Sequence, residues 1–172
     1  MEGGVLERLK EELKDLAKSV EEHKGFILVL VDPENMRESA LRLRSIGFDH
    51  VKSVTVVDRI KEGIFEVGYH VSSYSNEDLA KVIVELATHI PRDNPRIRTL
   101  TDVWPSAEFQ EREAYEQFGV IFEGHPDLRP ILLAPTVAEL HPLRKDFKVV
   151  EEGIYKESAK AKPASGGDKV GK

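Results

Sequence analysis

Residues 26–31, Phe-Ile-Leu-Val-Leu-Val, are the longest uninterrupted apolar run in the chain. A run this short, rich in β-branched residues and bounded by turn signals reads as a strand buried on both faces. It falls far short of the roughly 20 apolar residues that a membrane-spanning helix needs, so no direct membrane insertion is expected. Gly25 precedes it, and Asp32-Pro33 follows as an N-cap with proline at the first helical position. This predicts a helix from about Pro33 to Ile46, stopped by Gly47.

The remaining elements follow from the same periodicities. Val5, Leu9, Leu13, Leu16 and Val20 stand at helical spacing among charges and predict an amphipathic helix over 5–20. Residues 51–57 and 64–71 predict a hairpin turning at Gly63, with Phe65, Val67, Tyr69 and Val71 alternating along its second strand. Ser75 with Asp78 marks a capped start, and Leu79, Val82, Ile83, Leu86 and Ile90 extend it as a helical stripe ended by Pro91 and Pro95. A short strand over Arg96–Leu100 closes the order helix, then β-α-β-β-α-β. The expected fold is α+β: over residues 1–103, a two-layer domain with a mixed, mainly antiparallel sheet and helices on one face.

From Trp104 the pattern changes. A helix from about Ser106 to Phe118 leads into a proline-punctuated stretch, so residues 104–150 are expected to form that helix and an extended C-terminal arm. The last residues, KESAKAKPASGGDKVGK, carry five lysines against two acids and almost no large apolar side chain. Disorder is expected over 151–172.

Several chemistries are disfavoured. The net charge of −6 argues against nucleic acid. An RNA-binding module would share the β-α-β-β-α-β order, but Phe26 is the only aromatic that the run 26–31 offers for stacking. With no cysteine, the chain cannot supply thiolate nucleophiles, disulfides or cysteine ligands to zinc or iron–sulfur clusters. None of the six histidines falls in H-x-H, H-x3-H or H-E-x-x-H spacing, and strand alternation sets His50 and His70 on opposite faces of their hairpin. No G-x-S-x-G occurs, and neither glycine pair sits between a strand and a helix. A stand-alone metal enzyme would have to combine His125 or His141 with Glu111, Glu113 or Asp127.

The segment EREAYEQFGVIFEGHPDLRPILL, Glu111–Leu133, points elsewhere. Ala107, Ala114 and Phe118 mark one helix face with Glu111 in its middle, so that carboxylate needs a partner: Arg112, Arg129 or a cation from another chain. Gly119 is placed as the left-handed stop, and Pro126 forces His125 into an extended conformation. Apolar anchors ringed by Arg, Glu and His on a proline-stiffened, outward arm suit a protein interface.

Together with LTDVWPSAEF before it and HPLRKDF after it, this segment closely resembles the signature of the thirty-kilodalton subunit of respiratory complex I. It is also similar to the relatives of that subunit in membrane-bound nickel–iron hydrogenases and sulfur-reducing complexes. The likeness is dense over about Leu100–Phe147. It implies a peripheral-arm subunit on the cytoplasmic side of the membrane that performs no chemistry itself and docks on the large subunit. It also implies no cofactor on this chain, with iron–sulfur clusters and a nickel–iron centre or quinone held by partners, neighbouring iron–sulfur subunits among them. The matching positions expected to dock are Glu111, Arg112, Glu113, Tyr115, Phe118, Gly119, Phe122, His125, Pro126, Asp127, Arg129, His141, Pro142, Arg144, Lys145 and Asp146.

Three positions depart from the family pattern: Glu116 stands for aspartate, Pro130 for the second arginine of LRR, and Leu140 for the glycine before HPLRKD. Charged residues make up 33% of the chain, which with the absence of cysteine points to a thermophilic source and tilts the reading toward a hydrogenase or sulfur-reducing complex. An NADH or F420 dehydrogenase of the complex I type is the alternative.

Overall fold

The computed structural model describes residues 2–148, so the tail expected to be disordered over 151–172 lies outside the described residues. Helix α1 (Glu2–Glu12) leads into strands β1 (Ala17–His23) and β2 (Phe26–Val31), then helix α2 (Met36–Ile46) and strands β3 (His50–Arg59), β4 (Ile64–Ser72) and β5 (Val84–Pro91). A short strand β6 (Arg96–Arg98), helix α3 (Glu108–Phe118), strand β7 (Ile121–Glu123) and a one-turn helix α4 (Pro135–Ala138) complete it. The main sheet has the order β1-β2-β5-β4-β3, in which only the β2–β5 pair is parallel. The α+β class therefore holds: one sheet face carries the core and the helices pack against it.

Run 26–31 is a strand, buried at alternate positions Ile27, Val29 and Val31. Asp32-Pro33 opens a single 3-10 turn before α2. Helix α2 buries Met36, Ser39, Ala40, Leu43 and Ile46, the 3-and-4 spacing of one helical face. Its end is a Schellman turn: the N–H of Phe48 reaches the carbonyl of Leu43, and that of Gly47 the carbonyl of Arg44. Gly47 has φ 123°, and a Cβ there would stand 2.9 Å from Leu79.

Two predicted helical stretches are strands. The helix expected over 5–20 ends at Glu12, and residues 17–23 instead pair antiparallel with β2 across a turn at Gly25. Val20 satisfies both periods, and pairing decides between them: its Cα partner is Val29 in the core. The stripe expected to be a helix from a cap at Ser75 to Ile90 is one 3-10 turn, Leu79–Lys81, followed by β5. Val82, Val84, Leu86 and Ile90 also fit a period of two, and β5 finds hydrogen-bonding partners on both sides, β2 and β4. The capping signal near Ser75 serves a turn: the Asn76 side chain accepts from Asp78 and Leu79 amides, and Asp49 from those of Tyr74 and Ser75.

His50 and His70 do not take opposite faces of the hairpin as strict alternation predicts. A register shift between Val51 and Ser53 pairs His50 with Ser72 and His70 with Ser53, so both lie on the sheet face turned away from the helices. They serve separate contacts, His50 stacking on Tyr74 and His70 lying 3.7 Å from Glu85.

The far edge of β3 is capped by side chains rather than by another strand. Ser106 Oγ accepts from Val51 N–H and Gln110 Oε1 from Val54 N–H, which fixes α3 along the sheet edge. Trp104, fully buried, donates its indole N–H to the carbonyl of Phe48. The strand expected at Arg96–Leu100 is present as β6, which pairs in parallel with β7 outside the main sheet.

Because β5 lies inside the sheet, Leu86→Ala should cost about 2–5 kcal/mol of stability in a denaturant titration. Amides of Val84–Ile90 should exchange with solvent only on global unfolding; rapid exchange there would contradict a central β5.

Candidate functional site

The signature residues begin on α3, whose inner face buries Glu111 and Ala114. Glu111 is completely buried, yet no arginine among the described residues reaches it. Its Oε1 accepts from Tyr69 Oη and Leu100 N–H, both at 2.9 Å, and its Oε2 accepts from Thr99 Oγ1. The expected cation is thus replaced by hydroxyl and amide donors. Arg112 instead reaches the carbonyls of Arg129 and Pro130, and Arg129 pairs with Asp127. Burial pushes the Glu111 carboxyl above its usual range, against those three hydrogen bonds, all of which favour the charged form. Burial, and then the neighbouring Glu111, hold the Tyr69 phenol well above its ordinary value.

Gly119 ends α3 in the left-handed region, φ 75°, as expected. A second constraint applies there: an added Cβ would meet Arg144 Nη2 at 2.5 Å and His141 Nε2 at 2.7 Å. A larger residue would have to displace the Arg144 and His141 side chains, because the chain returns over this point.

That return corrects the picture of an outward arm. Phe122 is buried in β7, and His125 Nδ1 accepts from Asp127 N–H while Nε2 faces the carbonyl of Glu108, which assigns the ring proton to Nε2. His141 sits at φ 49° with its Nδ1 on the carbonyl of Glu116. Arg144 donates to the carbonyl of Phe118 and lies over the Phe65 ring at 5.3 Å. Asp146 and Asp58 share Arg92, and the N–H of Lys145 donates to Asp58. Burial alone would raise the Asp58 carboxyl, but Arg92 and the Lys145 amide outweigh it and hold the group below the usual carboxylate range.

The expected docking residues therefore divide. Glu111, Gly119 and Phe122 are buried, and Arg112, Tyr115, Phe118, His125, Asp127, His141, Pro142 and Arg144 are partly covered. Glu113, Pro126, Arg129, Lys145 and Asp146 are exposed. His125 and His141 are engaged by backbone groups and do not meet Glu113 or Asp127 around a common point. Among the described residues no group of three or more His, Asp or Glu side chains is placed to hold a metal ion.

Tyr69, Thr99, Asp58 and Arg92 are joined to partners 12 to 87 residues away. No local spacing marks them. Glu116, a departure from the family pattern, stands four residues after Arg112, but the two side chains do not pair with each other. This carboxylate is fully buried and accepts from the amides of Ile131, Leu132 and Leu133.

Residues 29–153 match the family model described as respiratory-chain NADH dehydrogenase, 30 Kd subunit. The chain belongs to this family. It is 38% identical over 154 residues to a subunit of NADH-quinone oxidoreductase from Roseiflexus sp. strain RS-1, covering 87% of this chain and 86% of that protein. It is 36% identical over 123 residues to a subunit of the F(420)H(2) dehydrogenase of Methanosarcina mazei, covering 71% of this chain and 75% of the relative. Its fold is similar to a chain in the structure of the membrane-bound sulfane sulfur reductase, an archaeal respiratory membrane complex. That likeness has a TM-score of 0.73 at 27% identity and covers 99% of this chain and 97% of the other.

The family signature thus maps largely onto contacts within the chain, and its buried carboxylate is testable. A group whose folded pKa is raised adds stability that is full below its unfolded value and fades as pH rises through the folded one. Glu111→Gln should remove that loss, so the variant gains on the wild type as pH is raised from about 4.5, by up to about 1.4 kcal/mol per unit, in denaturation at several pH values. Glu111→Ala leaves three donors without an acceptor and should cost about 3 kcal/mol or more at every pH.

Proposed function

We propose that this chain is a non-catalytic peripheral-arm subunit of a complex I-like membrane-bound oxidoreductase, docked on the large subunit that holds the quinone site or a nickel–iron centre. The observation that carries the reading is how the chemically capable residues of the family signature are used. Glu111, His125, His141, Arg144 and Asp146 are engaged by backbone and side-chain partners of this same chain. Such an arrangement stabilises a shape and offers no convergent set of groups to a substrate. Family membership supplies the kind of assembly.

In this reading the chain holds no cofactor, and iron–sulfur clusters with a quinone or nickel–iron centre lie on the large subunit and neighbouring iron–sulfur subunits. The assembly is a hetero-oligomer on the cytoplasmic side of the membrane. No helix of the described residues is long and apolar enough to cross a membrane. The likeness to a chain of the sulfane sulfur reductase, over 99% of this chain, favours a sulfur-reducing or hydrogenase complex. The higher identity to NADH-quinone oxidoreductase and F(420)H(2) dehydrogenase subunits supports the alternative assignment to a dehydrogenase.

Affinity purification of the tagged chain from its native host tests this directly. The expected result is a large subunit in the eluate, and the isolated chain free of stoichiometric iron, nickel, zinc or manganese by elemental analysis. Four cysteines able to hold a nickel–iron centre in that large subunit would assign a hydrogenase, and their absence a quinone- or sulfur-linked complex. A stoichiometric metal on the isolated chain, or no large subunit, would overturn the proposal.

A further inference from the structure

Strand β3 forms one edge of the main sheet, and its unpaired side is only partly closed. In an antiparallel ladder alternate residues turn both of their backbone groups to the same side. Val54 turns its N–H outward to Gln110 Oε1, so Val56 and Asp58 turn theirs outward as well. Neither amide meets an acceptor among the described residues. Asp58 is 3% exposed, which leaves its amide little access to water. Buried backbone donors are almost always paired, so this part of the edge lacks a partner.

The surroundings define what pairs there. The apolar lining of a groove between β3 and α3 is Val54, Val56, Ala114, Phe118 and Leu143, and Leu143 is 56% exposed. On the opposite face of the sheet Val57 is 43% exposed. A strand added along this edge meets apolar surface on both of its faces, and successive strand residues point to opposite faces. Two consecutive β-branched residues satisfy both sides, and Val149-Val150 is such a pair.

Its place in the chain fits the edge. Lys145 N–H donates to Asp58 Oδ2 at 2.8 Å, and Val149 follows four residues later, within about 14 Å along an extended chain. A segment that leaves Asp58 and continues toward Val56 runs against β3, which is antiparallel pairing. Gln110 closes the edge at Val54 and limits the added strand to the reach of Val56 and Asp58. The family match runs to residue 153, past the last described residue. The lysine-rich composition behind the expected disorder starts only at Lys156.

We propose that the chain's own segment after Lys148, centred on Val149 and Val150, adds as a short antiparallel strand to the β3 edge at Val56–Asp58. One valine then enters the groove beside Leu143 and the other covers Val57. The added strand shields the edge from pairing with other chains, the hazard that an open edge strand carries. This goes beyond the assembly reading and does not rest on it.

Because the chain has no cysteine, Glu151→Cys gives a single attachment point for a nitroxide spin label. In the full-length chain the label should broaden the amide signals of Val56 and Asp58 and leave those of Phe26–Val31 and Ile131–Leu133 sharp. Removing residues 149–172 should speed hydrogen exchange at Val56 and Asp58 about fivefold or more relative to Leu86 in β5, while removing only 156–172 changes nothing there. Unchanged relative exchange, or a label that leaves Val56 and Asp58 sharp, would overturn the proposal. Broadening at Ile131–Leu133 would equally overturn it by placing the segment on that turn instead. So would broadening of isotope-enriched, unlabelled chains mixed with labelled ones, which would assign the edge to a second copy.

Discussion

Everything else in the molecule depends on β5 entering between β2 and β4. That insertion joins the antiparallel β1–β2 hairpin and the β3–β4 hairpin into one sheet, with β2 and β5 parallel. Without it neither hairpin has enough apolar surface on one face to support helices, because two-stranded pieces are marginal in water. With it, Val29, Leu86, Tyr69 and Val67 line one continuous core face on which α1, the turn after it and α2 bury Leu9, Leu13, Ala40 and Leu43.

The second organising element is α3, a helix of 11 residues. Two of its glutamates are buried, and they do opposite jobs. Glu111 ties the helix inward to Tyr69 on β4 and to the segment after β6, whereas Glu116 ties the following loop to the helix. Ser106 and Gln110 fasten the same region to the free edge of β3. The stretch that follows then returns across Gly119 and closes on Asp58 and Arg92. Glu111, Arg112, Glu116, Arg144 and Asp146 are engaged in this closure, whereas the side chains of Glu113, Arg129 and Lys145 and a few apolar groups face solvent.

Legibility in the sequence followed the range of each interaction. The strand at 26–31, helix α2 with its Gly47 stop, the β3–β4 hairpin and the Gly119 end of α3 were all readable, because a few neighbouring residues specify them. Val20 and the stretch 79–90 misled because their apolar spacing satisfies both 3.6 and 2 over short windows, and only strand partners break the tie. Glu111 was correctly located on the buried face, but its partners were misjudged: Arg112 is next to it in sequence, while Tyr69 and Thr99 reach it only through folding.

By itself the sequence determined the α+β class, the density of the family signature, and the absence of any thiol chemistry, since residue types and local spacing carry those properties. Only the tertiary structure decided that β5 is central, that a sheet bulge moves His50 and His70 onto one face, and that the proline-rich stretch folds back instead of reaching out. The reason is physical: a hydrogen-bond donor or a charge must be satisfied by whatever lies nearest in space. For Lys145 that is Asp58, a residue 87 positions away.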